Sequence, residues 1–133
     1  MTSTIYKNKN TNWTTSDIPN LEGKTAFITG ANSGLGFYSA KALAEKNAHV
    51  VLACRTLKKA HSAIEQLKLL NNEGKFSPLE LDLADLKNVS EIGSKFSNDF
   101  ENLHLLINNA GIMHPPKTLS AQGFEIQLSL IHI

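Results

Sequence analysis

The 133-residue chain predicts an α/β fold, a doubly wound parallel sheet, on three observations. Short apolar runs alternate with segments of helical periodicity. A glycine-rich turn, Thr29-Gly30-Ala31-Asn32-Ser33-Gly34-Leu35-Gly36, stands between the first run and the first helix. Turn-forming residues such as Asn47 and Asn71-Asn72-Glu73-Gly74 close the helices. Strands separated by helices of this length form right-handed βαβ units, and such units build parallel sheets.

Thr25–Thr29 reads as the first strand, an apolar run of the kind buried on both faces. A helix over Gly34–Lys46 ends at Asn47, a residue that tolerates the left-handed conformation of a helix end. His49–Cys54 is the second strand. Leu57, Ala60, Ile64, Leu67 and Leu70 recur at helical spacing before the stop at Asn71–Gly74. Phe76–Leu81 reads as a third strand that Pro78 could interrupt. Asp85 is the expected N-cap of a helix with the apolar face Leu86, Val89, Ile92, Phe96 and Phe100. Leu103–Ile107 is the fourth strand. A complete dinucleotide-binding sheet uses at least six strands in the order 3-2-1-4-5-6, so the chain is expected to stop partway through its domain.

Composition excludes several classes of function. The net charge is +1 with no Lys/Arg cluster, whereas binding a phosphate backbone needs a concentrated basic face. No apolar stretch reaches the length of a membrane span, and the first twenty residues lack the apolar core of a secretion signal, so a cytoplasmic location is the default expectation. Cys54 is the only cysteine, which rules out an internal disulfide or a CxxC site within these residues. Within Val50-Val51-Leu52-Ala53-Cys54 it reads as a small buried hydrophobe.

A glycine turn between strand and helix is a phosphate cradle. Gly30 permits the tight turn off the strand, Gly34 lets backbone approach a pyrophosphate, and Gly36 allows the helix to pack closely on the sheet. The phosphates would sit at the positive N-terminus of the helix that starts near Gly34. Leu35-Gly36-Phe37 stands where a Walker loop requires Gly-Lys-Ser/Thr, so triphosphate hydrolysis is not expected. About twenty residues beyond the glycines, an acid binds a free ribose 2′-hydroxyl and an arginine accommodates a 2′-phosphate. That region reads Ala53-Cys54-Arg55, with no carboxylate beside Arg55, which favours NADP(H) over NAD(H). The alternative role for Arg55 is that of a surface arginine capping the next helix at Thr56.

Taken together, Thr29–Gly36, Asp82-Leu83 after the third strand and Asn108-Asn109-Ala110-Gly111 after the fourth resemble the short-chain dehydrogenase/reductase family over about residues 13 to 127. The resemblance implies a Rossmann fold and a nicotinamide cofactor. It places Asn32, Ser33 and Leu35 with the three glycines around that cofactor, Asp82 and Leu83 near the adenine, and the Asn109-Ala110-Gly111 backbone along it. Asn108 would brace the sheet. The flanks, Trp13 to Lys24 and Gly123-Phe124-Glu125-Ile126-Gln127, look like the retinol-dehydrogenase and WW-domain-oxidoreductase group; the alternative reading of Trp13 is an anchor for the arm.

Members of this family move a hydride between nicotinamide and an alcohol or carbonyl carbon, while a tyrosine assisted by a lysine exchanges the proton. Their Tyr-x-x-x-Lys belongs to the fifth-strand region, beyond this chain's end. Tyr38-Ser39-Ala40-Lys41 has a spacing one residue short and lies in the first helix, so no catalytic residue is assigned. Ile131-His132-Ile133 stands where the family has Asn-His-Leu, and only His132 agrees. The last six residues, Leu128-Ser129-Leu130-Ile131-His132-Ile133, are what the codons CTG TCT CTT ATA CAC ATC encode, the string of a transposon end used as a sequencing adapter.

The expected organisation is therefore an N-terminal arm over 1–22, the first part of an NADP-binding domain over 23–127, and an adapter-encoded tail over 128–133; a diverged helix is the alternative for the tail. The expected parent is an NADP(H)-dependent oxidoreductase acting on a small alcohol or carbonyl compound, with no nucleic-acid partner and no transmembrane segment. A homo-oligomeric parent follows from the resemblance alone. The chain by itself is expected to be inactive. The rival readings are an NADP-binding regulatory module and a non-functional fragment.

Overall fold

A computed structural model describes residues 12–131. Residues 1–11 of the arm, and His132 and Ile133 of the tail, lie outside the described residues. Four parallel strands, β1 (Thr25–Thr29), β2 (His49–Cys54), β3 (Lys75–Glu80) and β4 (Leu105–Ile107), lie in the order β3-β2-β1-β4. Between and after them run α1 (Gly34–Glu45), α2 (Leu57–Leu70), α3 (Leu86–Asp99) and α4 (Ile126–Ile131).

Side chains of β1 and β2 alternate between two cores because both faces of the sheet are covered. Ile28, Val50, Leu52 and Cys54 pack with Ala40, Ala44, Ala60, Ile64 and Leu67 of α1 and α2. Phe27, Val51, Ala53 and Leu79 pack on the other face with Phe96 of α3, whose ring meets Phe27 edge-on at 5.3 Å and stacks on Phe100 at 4.6 Å. This two-sided wrapping is the doubly wound arrangement the apolar runs predict.

Pro78 does not interrupt β3. It stands in register opposite Leu52, and β3 is an edge strand, where a missing N–H leaves no neighbouring strand unpaired. β3 is displaced by one residue from the expected Phe76–Leu81, and α1 stops one residue short of Lys46. Asn47 takes φ 71° as expected, with its Nδ2 donating to Asn20 Oδ1 at 2.8 Å.

β4 begins at Leu105, not Leu103, because His104 replaces regular pairing. Its N–H donates to Thr25 O, while its ring Nδ1 accepts from Thr25 N–H, both at 3.0 Å. On the arm, a 3-10 turn over Thr15–Asp17 is fixed by the Thr14–Asp17 capping box and by Lys46 Nζ donating to Ser16 O at 3.0 Å. Trp13 does not anchor it, being 69% exposed. Polar bonds hold these residues, so no apolar anchor is required.

Of the expected apolar face of α3, only Phe96 is buried, and Leu86, Val89, Ile92 and Phe100 are half-buried. Beside β4, an apolar hollow of about 160 Å³ between Phe27, Val89, Ile92, Phe96, Leu103 and Leu106 accounts for the exposure. No further strand covers β4 on that side among the described residues. Among them, too, no helix is long and apolar enough to cross a membrane.

Candidate functional site

The chain direction reverses across the sheet between β1 and β4, since β2 and β3 lie to one side of β1 and β4 to the other. A crevice opens at the carboxyl ends of strands at such a switch point. Here it is a cavity of about 390 Å³. The end of β1 and the turn after it contribute Thr29, Gly30, Asn32 and Ser33; the end of β2 and the residue after it, Ala53 and Arg55; the turn after β3, Leu81, Asp82, Leu83 and Ala84; and the loop after β4, Asn109, Ala110, Gly111 and Ile112. Ile126 and Leu130 of α4 complete the wall.

The glycine turn is shaped from within. Gly30 has φ +64°, and a Cβ there would lie 2.9 Å from Ala110 Cα. A Cβ on Gly36 would lie 2.5 Å from Asn109 Nδ2 and 2.6 Å from Gly30 O, so the close packing it permits is against the loops, not against the strand as expected. Gly34 has φ +57°, and a Cβ on it would meet nothing within 4 Å. The space over Gly34 is open.

α1 carries no side-chain cap. Ser33 occupies its N-cap position without bonding to the helix, and no acceptor faces the N–H groups of Gly34, Leu35 and Gly36 among the described residues. The first amide to close is that of Phe37, on Ser33 O at 3.4 Å. Unpaired amides at a helix start, with the positive end of its dipole, favour an anion. Leu35 is 82% exposed beside them, and neither it, Gly34 nor Gly36 lines the cavity itself.

Arg55 is exposed at the end of β2 and, among the described residues, has no acidic partner within ion-pair distance. It does not cap α2. Thr56 Oγ1 accepts from Lys59 N–H at 3.4 Å and Glu80 Oε2 from Leu57 N–H at 3.2 Å, while Arg55 lines the cavity. Cys54, behind it, is buried as expected. Burial pushes its thiol up, partly offset by the N–H groups of Ala31 and Asn32, so the group stays protonated and unreactive.

Asp82 folds its own turn: Oδ1 accepts from Ala84 N–H at 2.9 Å, and its N–H donates to Asn88 Oδ1 at 2.8 Å. The brace between the β1 and β4 ends is Asn109, whose Nδ2 donates to Thr29 O at 3.1 Å and to Gly30 O at 3.2 Å. Asn108, expected in that role, is exposed beside the apolar hollow, because alternation along the strand turns its side chain away from the glycine turn. Sequence reasoning gives no role to Thr29, although its buried Oγ1 accepts from both Asn109 N–H and Ala110 N–H at 3.0 Å. A hydroxyl-bearing residue at the end of an apolar strand is the one signal that could have marked it.

Tyr38, on α1, is 66% exposed and does not line the cavity. Among the described residues no group of His, Cys, Asp and Glu is arranged to hold a metal.

Residues 24–130 match the family described as short chain dehydrogenase. Retinol dehydrogenase 11 of Mus musculus is 40% identical over 113 residues, which make up 85% of this chain and 36% of that protein. The structure of an uncharacterized protein from Mycobacterium paratuberculosis matches with a TM-score of 0.77 at 39% identity, covering 92% of this chain and 42% of that one. L-sorbose reductase from Gluconobacter frateurii, solved with NADPH and L-sorbose, matches with a TM-score of 0.62 at 31% identity over 70% of this chain and 35% of its own. The chain spans 34–36% of the length of the curated relatives it matches. With the match running from Lys24, just ahead of β1, to Leu130 in α4, the chain belongs to the short chain dehydrogenase family, in its retinol-dehydrogenase-like branch.

Proposed function

We propose that this chain is the NADP(H)-binding part of a longer oxidoreductase that interconverts alcohols and carbonyl compounds. The observation that carries the reading is that one cavity is lined both by Ser33, the N-cap position of the uncapped α1, and by Arg55, which has no acidic partner among the described residues. In this reading Gly30, Gly34 and Gly36 shape the turn, and the amides at Gly34, Leu35 and Gly36 hold the pyrophosphate, with Asn32 and Ser33 beside them. Arg55 holds the 2′-phosphate, Asp82 and Leu83 meet the adenine, and the Asn109-Ala110-Gly111 backbone lines the nicotinamide side. The bound NADP(H) supplies or takes up the hydride. The NADPH complex of L-sorbose reductase supports the choice of cofactor.

In the full-length parent, Arg55→Ala is expected to weaken NADPH about 10- to 150-fold, the equivalent of about 1.5–3 kcal/mol for one charge-assisted contact, while NADH affinity stays unchanged. Fluorescence titration of both cofactors measures this. Equal losses for the two would remove Arg55 from the 2′-phosphate.

We further propose that residues 128–133 are adapter sequence and that the natural frame continues after Gln127. Proton transfer then belongs to the part that follows, and these 133 residues alone do not turn over. Sequencing the locus is expected to show an open frame containing Tyr-x-x-x-Lys; a natural stop after Ile133 would favour a regulatory module or a non-functional fragment.

A further inference from the structure

The turn from Asp82 to Leu86 contributes Asp82, Leu83 and Ala84 to the side of the cavity that follows β3, and it is held from outside the cavity. Gln122 Oε1 accepts from Leu86 N–H at 2.9 Å, and Gln122 Nε2 donates to Asp85 Oδ1 at 2.8 Å. One residue earlier, Ala121 N–H donates to Ala84 O at 2.9 Å. Gln122 itself sits in a tight turn closed by Ser120 N–H on Phe124 O at 2.7 Å and Gly123 N–H on Ser120 O at 2.9 Å, with Gly123 at φ +82°. It does not line the cavity. Asp85 Oδ1 also accepts from Lys87 N–H at 3.0 Å and Asn88 N–H at 3.5 Å, and Asn88 in turn fixes the Asp82 amide. Beside the Ala121 bond and that of Ser129 Oγ, which donates to Leu83 O at 2.8 Å, the Gln122 side chain is the link that ties Asp85 and the start of α3 to a segment that enters the sheet nowhere. The bond from Gln122 is the leading cause that holds the Asp85 carboxyl below its usual range, so the amide is matched to the charged carboxylate.

The strand order assigns this wall to one half of a dinucleotide. The Asp82 turn follows β3, next to Arg55 after β2, with the glycine turn after β1 and Asn109–Gly111 after β4 at the other end. With the 2′-phosphate on Arg55 and the pyrophosphate on α1, adenosine lies toward β3 and nicotinamide toward β4.

We propose that Gln122 is a positioning residue for the adenosine half of the cofactor, acting through the Asp82–Leu86 turn. The proposal rests on the cofactor reading above. In the full-length parent, Gln122→Ala is expected to raise the dissociation constants of NADPH and of 2′,5′-ADP by the same factor, about five-fold, as two hydrogen bonds are lost from a turn that retains its inner ones. Reduced nicotinamide mononucleotide, which lacks the adenosine half, binds unchanged, and kcat at saturating NADPH is unchanged while the KM for NADPH rises. Gln122→Glu keeps an acceptor for Leu86 N–H but replaces donation to Asp85 by a second carboxylate that repels it; it gives an adenosine-selective loss at least as large where Gln122→Ala does not fold. Unchanged affinity for 2′,5′-ADP, or an equal loss for the mononucleotide, overturns the proposal and leaves the cofactor reading standing. Failure of the unmutated parent to bind NADPH or 2′,5′-ADP overturns both.

Discussion

α1 and α3 both begin where a parallel strand ends, yet one start is open and the other is closed. At α3 the first three amides all have side-chain acceptors: Gln122 takes Leu86 N–H, and Asp85 takes those of Lys87 and Asn88. At α1 the amides of Gly34, Leu35 and Gly36 have none among the described residues, and Ser33 leaves its hydroxyl unused. A side-chain cap is worth about 1 kcal/mol, so nothing in folding favours leaving α1 bare. On the proposed reading, the difference separates a helix whose start is structure from one whose start takes an anion.

The sharpest way to break this contrast is to fill the glycine turn at two neighbouring positions. Gly36→Val puts carbon against Asn109 Nδ2 and Gly30 O inside the protein, so the brace and the turn must both move. In the full-length parent it is expected to cost about 2–4 kcal/mol of stability, as overpacking against backbone does, and to abolish NADPH binding. Gly34→Ala meets no protein atom and costs only the strain of its left-handed backbone, about 1–2 kcal/mol. Its circular dichroism should remain native while NADPH binding is lost. Retained affinity in Gly34→Ala would show that no ligand approaches the open end of α1.

Part of this contrast is legible in the sequence itself. Asp85 as N-cap of α3 is a local signal, readable from its place just before an apolar periodic run, and the glycine turn is local as well. β1 and β2 are legible to the residue because burial on both faces makes their apolar runs continuous. What escapes is non-local. Gln122 reaches α3 across 36 residues and Asn109 reaches Gly30 across 79, so no spacing rule finds either bond. Asn108 as the brace comes from the resemblance alone; alternation along the strand turns its side chain away from the glycine turn and presents Asn109 there instead. The half-exposed face of α3 escapes for a different reason, since periodicity reports which residues are suited to burial and not whether the covering layer is present.

The finest test exchanges the roles of two N-caps. Thr56 caps α2 through Oγ1 on Lys59 N–H, and it is absent from the cavity wall; Ser33 lines the cavity and caps nothing. In the full-length parent without cofactor, Thr56→Ala should lower the unfolding free energy by about 0.5–1 kcal/mol, while Ser33→Ala changes it by less than about 0.5 kcal/mol because no intrahelical bond is lost. Cofactor affinity should respond in the opposite sense: Ser33→Ala weakens NADPH about three- to ten-fold, the range for one ordinary hydrogen bond, and Thr56→Ala leaves it unchanged. Urea unfolding and NADPH titration on the same two variants give all four values. If Ser33→Ala instead costs stability as Thr56→Ala does and leaves affinity untouched, Ser33 is an ordinary cap and the open start of α1 is not reserved for a ligand.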